Sequence, residues 1–314
     1  MTSQLDPEAQ ALLEVMNAFG AAPLHTMSVQ EARQRMRATL SSRGEPIELE
    51  SVQDVLVPSP HGGLGVRLYR PSVGVLPVAL FLHGGGWTLN DLDTHDELCR
   101  RLARRSGWLL ASLDYRRAPE HKHPAALEDA YVAYRWLLDN HQRISCDPLV
   151  RAVTGESAGA TTAAALSLLL RDLGAPKPTF QALAYPLMDL PGRWPSYAER
   201  GSGYTLDSDL VQWFIDQCLA PAHDRADPTL FPLQASDASG LPPTLVMTAE
   251  FDPLRDEGIA YANKLAAAGV TVEHIHAADQ MHGFLLLGKA VRRAGELADR
   301  FADGLAAHHA AQSA

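Results

Sequence analysis

The amino-acid sequence predicts an α/β protein with a mostly parallel β-sheet and helices on both faces of that sheet. The 314 residues are 46% hydrophobic and 20% charged, which is typical of a globular chain with a full core. From about residue 46 onward, short apolar runs alternate with helix-like stretches. Runs such as Val78–Leu82 are continuously apolar, which is typical of strands buried on both faces.

The first 45 residues predict two helices, Pro7–Phe19 and Ser28–Leu40, since apolar residues recur there at near-helical spacing. Ser28 stands three residues before Glu31, which is a capping-box pattern at the start of a helix. We therefore expect a helical N-terminal region over 1–45 and an α/β domain over 46–314.

Eight strands and five further helices follow in the predicted order. The strands are Val52–Val57, Leu64–Tyr69, Val78–Leu82, Leu109–Leu113, Ala152–Thr154, Phe180–Tyr185, Leu245–Thr248 and one that ends at Ile275. The helices are His95–Arg105, Ala125–Leu138, Ala158–Leu173, Glu257–Ala268 and Lys289–Ala307.

The segment 191–230 interrupts this alternation and is rich in Pro, Gly and Asp. It holds one predicted helix, Asp207–Leu219. An insertion between two core strands indicates a cap over a site. The N-terminal helices join this cap or, alternatively, form a solvated extension.

Composition excludes several classes of protein. The formal net charge of −10 argues against nucleic acid or an anionic membrane as a partner. The longest apolar stretch, Ala158–Leu170, is too short to span a bilayer, and the first ten residues do not resemble a signal peptide. Three cysteines without metal-ligand spacing indicate free thiols and a cytoplasmic protein.

The run Gly155-Glu156-Ser157-Ala158-Gly159 follows a predicted strand and precedes an Ala-rich helix. This is the context of a nucleophile elbow, in which a tight turn exposes the serine hydroxyl at the carboxyl end of a sheet. The helix that follows offers free N–H groups to developing negative charge. A helix N-cap serine is the structural alternative.

The run His83-Gly84-Gly85-Gly86-Trp87 directly follows the strand Val78–Leu82. Three consecutive glycines allow bare backbone to approach a substrate oxygen closely. We expect the N–H groups of Gly84, Gly85 and Ala158 to form an oxyanion hole. A flexible loop is the alternative, but it is unusual immediately after a buried strand.

A nucleophilic serine needs a general base, and the base needs an orienting acid. His282 lies between the last strand and the last helix, which suits the chain order serine, acid, histidine. Asp252 is the first choice for the acid because it lies in the turn after a strand. Glu250 is the runner-up, and Asp256 and Glu257 are expected to cap the next helix.

These motifs together resemble the bacterial hormone-sensitive-lipase-like family (family IV) of α/β-hydrolase serine esterases. The similarity is carried by an H-G-G-G-W loop at 83–87, an elbow at 155–159, D-P-L-R-D at 252–256 and H-G-F at 282–284. The run Asp114 to Glu120 is similar to the family's D-Y-R-L-A-P-E turn. Two positions depart from the pattern: Glu156 replaces the usual Asp or Thr, and His123 replaces an aromatic residue before a proline.

The resemblance implies the α/β-hydrolase fold, with about eight strands and a helical cap made from the N-terminus and the insertion 191–230. It implies a Ser157–His282–Asp252 triad that hydrolyses short- to medium-chain carboxylic esters, and the D-P-L-R-D segment favours Asp252 over Glu250. No H-E-x-x-H motif and no Cys/His cluster occurs, so we expect neither metal nor cofactor.

The substrate side of the site is expected to be aromatic. Trp87, Trp213, Phe214 and Phe284 are the candidate substrate-binding residues, and the insertion also carries Trp194, Tyr197 and Tyr204. Alternatively, Trp213 and Phe214 join the cap helix to the core. A deacetylase or amidase acting on an acylated metabolite uses the same acyl-enzyme and stays open, as do a non-catalytic receptor on this fold and a homo-oligomer.

Overall fold

A computed structural model describes residues 3–312, apart from 19, 21, 39–45, 222, 224 and 225. Its centre is one eight-stranded sheet. The strands are β1 Ser51–Ser59, β2 Gly62–Arg70, β3 Leu76–Leu82, β4 Leu109–Asp114, β5 Cys146–Glu156, β6 Phe180–Ala184, β7 Thr244–Phe251 and β8 Val272–Met281.

The strand order in the sheet is β1-β2-β4-β3-β5-β6-β7-β8. β1 and β2 form an antiparallel hairpin, and β2 also pairs antiparallel with β4. All pairs from β4 to β8 are parallel, so the carboxyl ends of β3, β5, β7 and β8 lie along one edge. Catalytic groups of open α/β sheets occur at this edge, because loops and helix N-termini converge there.

Helices cover both faces of the sheet. They are α1 Pro7–Ala18, α2 Val29–Ala38, α3 Asp96–Ser106, α4 Ala125–Asp139, α5 Ala158–Asp172, α6 Pro195–Arg200, α7 Ser208–Cys218, α8 Arg255–Ala267 and α9 Arg292–Gln312. Alternate residues of β3 enter two separate cores: Leu80 and Leu82 pack on the face with α4 and α5, and Ala79 and Phe81 pack on the face with α3 and α9. This two-sided burial explains the continuous apolar run of the strand.

The structure confirms the predicted fold class and every predicted strand and helix to within a few residues, with two exceptions. β5 begins at Cys146 and not at the predicted Ala152. β8 does not end at Ile275 but continues to Met281. β8 is the edge strand of the sheet, and its residues beyond Ile275 are partly exposed and partly polar, so no continuous apolar run marks its end. The short helix α6 was not predicted, and the predicted helix ends at Phe19 and Leu40 lie outside the described residues.

The capping box at the start of α2 is confirmed. The Glu31 carboxylate accepts from the Ser28 N–H at 2.9 Å, and the Ser28 hydroxyl accepts from the Glu31 N–H at 3.3 Å. Arg33 then fixes α2 to the core through the carbonyl oxygens of Thr88 and Ala118 and through the Glu120 carboxylate. None of the described helices has both the length and the apolar character that crossing a bilayer requires.

Candidate active site

Ser157 lies in the sharp turn between β5 and α5. Its φ of 53° and ψ of −127° are strained for a residue with a side chain, and such strain is typical of functional turns. The flanking glycines are required sterically, since a Cβ on Gly155 would lie 2.5 Å from the Leu82 carbonyl oxygen and one on Gly159 only 1.9 Å from it. The elbow geometry therefore follows from the close approach of α5 and β5 to the end of β3.

β7 and β8 position the other two predicted triad residues. Phe251 pairs with Met281 across these parallel strands, so the residues that follow, Asp252 and His282, leave the sheet side by side. His282 Nδ1 lies 2.7 Å from Asp252 Oδ2, and His282 Nε2 lies 3.0 Å from Ser157 Oγ. The three side chains form one continuous hydrogen-bonded chain.

Asp252 is fully buried and has no free oxygen. Its Oδ1 accepts the Leu254 N–H at 2.8 Å, which leaves Oδ2 for His282. A carboxylate held in this way fixes both the orientation and the tautomer of the imidazole.

The runner-up acid, Glu250, serves a different cluster. Its carboxylate accepts from Arg200 at 2.7 Å and from Arg255 at 3.2 Å, and it lies 3.2 Å from His276 Nε2. Glu250 therefore belongs to an ion-pair cluster, whereas Asp252 binds the His282 ring.

The expected helix caps at the start of α8 were wrong. Asp256 accepts the Ser196 N–H from α6, and the fully buried Glu257 accepts the Asp189 N–H. Burial, together with the nearby Asp189 and Asp252 carboxylates, raises the pKa of Glu257 well above its usual value.

The structure corrects the predicted oxyanion role of Gly84. Its N–H donates to Oε1 of Glu156, the residue immediately before Ser157. The same Oε1 lies 2.9 Å from Nε2 of the buried His95, so Glu156 joins the glycine loop to the elbow. Glu156 stands where the family usually has Asp or Thr, and its larger side chain holds the loop in place.

Three other backbone N–H groups belong to residues that line the cavity around Ser157. Within the part of the chain that the structure describes, those of Gly85, Gly86 and Ala158 donate no hydrogen bond, and all three residues line the cavity that contains Ser157. The His83 ring stacks on Tyr115 at 4.2 Å, and the Tyr115 hydroxyl donates to the His83 carbonyl oxygen at 2.8 Å. Burial lowers the pKa of His83 to about 3, so its ring is a neutral support for the loop.

A cavity of about 480 Å³ opens onto Ser157 and His282. Its walls are mostly apolar and come from three parts of the chain. The N-terminal region contributes Leu12, Met16, Leu24 and Met36; the cap insertion contributes Thr205, Leu206, Leu210, Val211 and Phe214; the core contributes Trp87, Leu89, Leu187, Leu254 and Leu286.

Two of the four aromatic substrate-binding candidates do not line this cavity. Trp213 is partly buried against the core and packs on Phe214 at 5.4 Å, and Phe284 is fully buried against Tyr185. Trp87 and Phe214 do line it. The other cap aromatics are structural: the Trp194 indole N–H donates to Asp189, and Tyr204 packs on Phe251.

Sequence reasoning missed two supports of His282. The Thr205 hydroxyl of the cap insertion donates to the His282 carbonyl oxygen at 2.6 Å, and the buried Tyr185 ring packs edge-on against the imidazole at 4.8 Å. Neither residue belongs to a motif, so only their position in the fold identifies them. The cap insertion is thus in direct contact with the triad.

The fold and the triad geometry agree with comparisons to known proteins. A family model described as the α/β hydrolase fold matches residues 79–286. The carboxylic ester hydrolase LipN of Mycobacterium tuberculosis is 42% identical over 294 residues, which are 90% of this chain and 77% of LipN. An ethyl acetate hydrolase of Pseudomonas putida is 36% identical over 305 residues, which are 93% of this chain and 95% of that protein.

Solved structures show the same relationship. A thermostable esterase from Pseudomonas putida superimposes with a TM-score of 0.94 at 34% identity, covering 97% of this chain and 98% of that one. A hyperthermophilic esterase from Pyrobaculum calidifontis superimposes with a TM-score of 0.91 at 36% identity, covering 97% of this chain and 98% of that one. The chain belongs to the α/β-hydrolase family, in its hormone-sensitive-lipase-like branch. It is a carboxylic ester hydrolase.

Proposed function

We propose that this enzyme hydrolyses esters of short- to medium-chain carboxylic acids through an acyl-enzyme on Ser157. The observation that carries the proposal is the unbroken hydrogen-bonded chain from Ser157 through His282 to Asp252 at the floor of an apolar cavity. A base within hydrogen-bond reach of a serine, itself oriented by a buried carboxylate, is the arrangement that activates a hydroxyl for attack.

Acylation starts when Ser157 Oγ attacks the ester carbonyl carbon while His282 Nε2 takes the hydroxyl proton. The imidazolium is stabilised by Asp252, which accepts the Nδ1–H and stays ionised. Collapse of the tetrahedral intermediate breaks the bond to the alcohol, and His282 returns its proton to the leaving oxygen. Water then attacks the acyl-enzyme in the same way, and the acid is released from Ser157.

The N–H groups of Gly85, Gly86 and Ala158 are proposed to bind the oxyanion. They lack acceptors within the described residues and border the cavity beside Ser157, and Ala158 is the first residue of α5. The helix N-terminus adds its favourable partial charge. Gly84 supports them indirectly through its bond to Glu156.

The cavity supports a preference for about two to eight acyl carbons. Its volume of about 480 Å³ lies in the usual range for small-molecule sites, about 300–1,000 Å³. Its roof is formed by cap and N-terminal side chains rather than by an open apolar surface, so a dissolved small ester suits it better than a lipid droplet. The similarity to an ethyl acetate hydrolase also favours a short acyl group. The free thiols Cys99, Cys146 and Cys218 favour the cytoplasm as its location.

Steady-state rates on p-nitrophenyl esters from acetate to palmitate test the proposal, with Ser157→Ala as the blank. We expect the highest kcat/KM at eight carbons or fewer and a burst of p-nitrophenol when deacylation is slow. A maximum at palmitate, with a rate jump above substrate solubility, would make the enzyme an interfacial lipase. Faster cleavage of matched N-acetyl anilides than of the esters would make it an amidase.

A further inference from the structure

Two histidines and one aspartate meet where the cap insertion joins the core. His123 precedes α4, and His223 and Asp227 follow α7 in the cap insertion. Their ligand atoms all lie within 4.8 Å of one another. Asp227 Oδ2 lies 3.0 Å from His223 Nε2 and 3.5 Å from His123 Nε2. His223 Nε2 thus hydrogen-bonds to Asp227 Oδ2, and His123 Nε2 lies near the same oxygen while it hydrogen-bonds to the Thr229 hydroxyl at 3.0 Å.

We propose that His123, His223 and Asp227 bind a divalent transition-metal ion of the Zn²⁺ class that fastens the cap insertion to the core. Two imidazoles and one carboxylate are a donor set that zinc accepts. Zinc ligands about 2.05 Å from the ion in a tetrahedral arrangement lie about 3.3 Å apart, so two of the separations already match. The third separation, between the two imidazole nitrogens, is at most 4.8 Å and would shorten on binding, with water in the fourth position.

The surroundings favour a site that is organised in advance. The Thr229 N–H and hydroxyl both bind Asp227 Oδ1, at 2.8 and 2.6 Å, which leaves Oδ2 aimed at the histidines. Outer-shell hydrogen bonds of this kind orient metal ligands.

The position of the cluster gives the ion a structural purpose. The His123 N–H donates to the Cys218 carbonyl oxygen at 2.9 Å, and Lys122 Nζ donates to the carbonyl oxygens of Gln217 and Leu219. These contacts fix the C-terminal end of α7, the helix that carries Phe214 into the cavity. A metal at the cluster would hold the end of α7 more firmly. His123 is also the position at which the sequence departs from an aromatic residue in its family.

The test uses the full-length chain without a histidine tag, stripped with EDTA and titrated with ZnCl₂ by calorimetry. We expect one zinc per chain and a Tm increase of roughly 3–5 °C at a free zinc concentration of ~100 times Kd. His223→Ala should weaken binding at least tenfold and remove the Tm response. Its ring is partly exposed, and Asp227→Asn gives a second, isosteric variant in case the alanine variant misfolds.

A matched control is His276→Ala, since His274 and His276 are also a histidine pair that shares a hydrogen-bond partner, the Thr248 hydroxyl. This variant should bind zinc like the wild type, and Co²⁺ in place of zinc should give the visible absorption of a tetrahedral site in both proteins. No binding up to about 1 mM zinc, or binding lost in His276→Ala but kept in His223→Ala, would overturn the proposal. Ester hydrolysis by the EDTA-treated enzyme is expected to persist, so the two proposals fail independently.

Discussion

Glu156→Gln tests whether the elbow residue positions the oxyanion loop. In the wild type, one carboxylate oxygen of Glu156 accepts from the Gly84 N–H and from His95 Nε2 in a site that is 3% exposed. Glutamine keeps an acceptor of the same size and removes the negative charge. The loop would then be held by two neutral hydrogen bonds instead of two charge-assisted ones.

The size of the effect follows from that change. A hydrogen bond to a charged group is worth about 1.5–3 kcal/mol and a neutral one about 0.5–1.5, so each bond loses about 1 kcal/mol. Two bonds lose about 2 kcal/mol, which corresponds to roughly 30-fold if all of it is lost from the transition state. We therefore expect kcat to fall about 10- to 30-fold with little change in KM, since the oxyanion forms only after binding.

The assay is steady-state hydrolysis of p-nitrophenyl acetate, with thermal unfolding measured in parallel. Thr154→Val is the matched control, because Thr154 lies on the same strand, is fully buried and has a hydroxyl without a hydrogen-bond partner. It should keep wild-type kcat. If Glu156→Gln keeps kcat within about twofold of wild type, or only raises KM, the carboxylate does not position the loop.

Three further predictions concern the acid, the cavity and the N-terminal helices. Asp252→Asn should lower kcat by about 10⁴-fold because the imidazole loses its tautomer control, whereas Glu250→Gln should leave kcat nearly unchanged; the reverse order in rate assays would exchange their roles. Phe214→Ala should shift the preferred p-nitrophenyl ester to a longer acyl chain, whereas Trp213→Ala, next to it but outside the cavity, should not. Equal shifts in the two variants would show that Phe214 does not limit the acyl chain. The hydrogen-bonded ion pair with Arg33 of α2 lowers the pKa of Glu120 to about 2. A lowered carboxyl pKa stabilises the fold above the unfolded value of about 4.3 and ceases to do so as pH falls towards 2. Limited proteolysis should therefore cut within α2 faster in Glu120→Gln than in wild type at pH 6, with the difference shrinking below pH 4; a constant difference would refute the linkage.

Local patterns were sufficient to predict most of the fold. Continuous apolar runs identify strands such as β3 because both of its faces are buried in separate cores. The pattern weakens at the sheet edge, where β8 exposes Glu273, His274 and His276, and the strand was predicted to end six residues early. Three of the site residues, Ser157, Asp252 and His282, were identifiable because each follows a strand end in a short motif.

Contacts between distant segments could not be read from such motifs. The direction of the Gly84 N–H depends on Glu156, 72 positions later, and the sequence did not show which glycines face the cavity. The number of aromatic residues in the cap insertion also did not reveal which of their side chains face the cavity. Phe214 and Trp213 are adjacent on α7, about 100° apart around the helix axis, so only one of them reaches the cavity. His123 and His223 are 100 positions apart and meet only through the docking of α7.

Covalent labelling of Ser157 tests the central claim most directly. The enzyme is incubated with a p-nitrophenyl alkylphosphonate, and intact and peptide mass spectrometry locate the adduct. We expect one phosphonyl group per chain on Ser157, with loss of activity in proportion to labelling. Ser157→Ala should be folded and unlabelled, and its kcat should be at least ~10⁴-fold lower. A folded Ser157→Ala variant that keeps about a tenth of wild-type kcat, or an adduct on another residue that abolishes activity, would contradict the assignment.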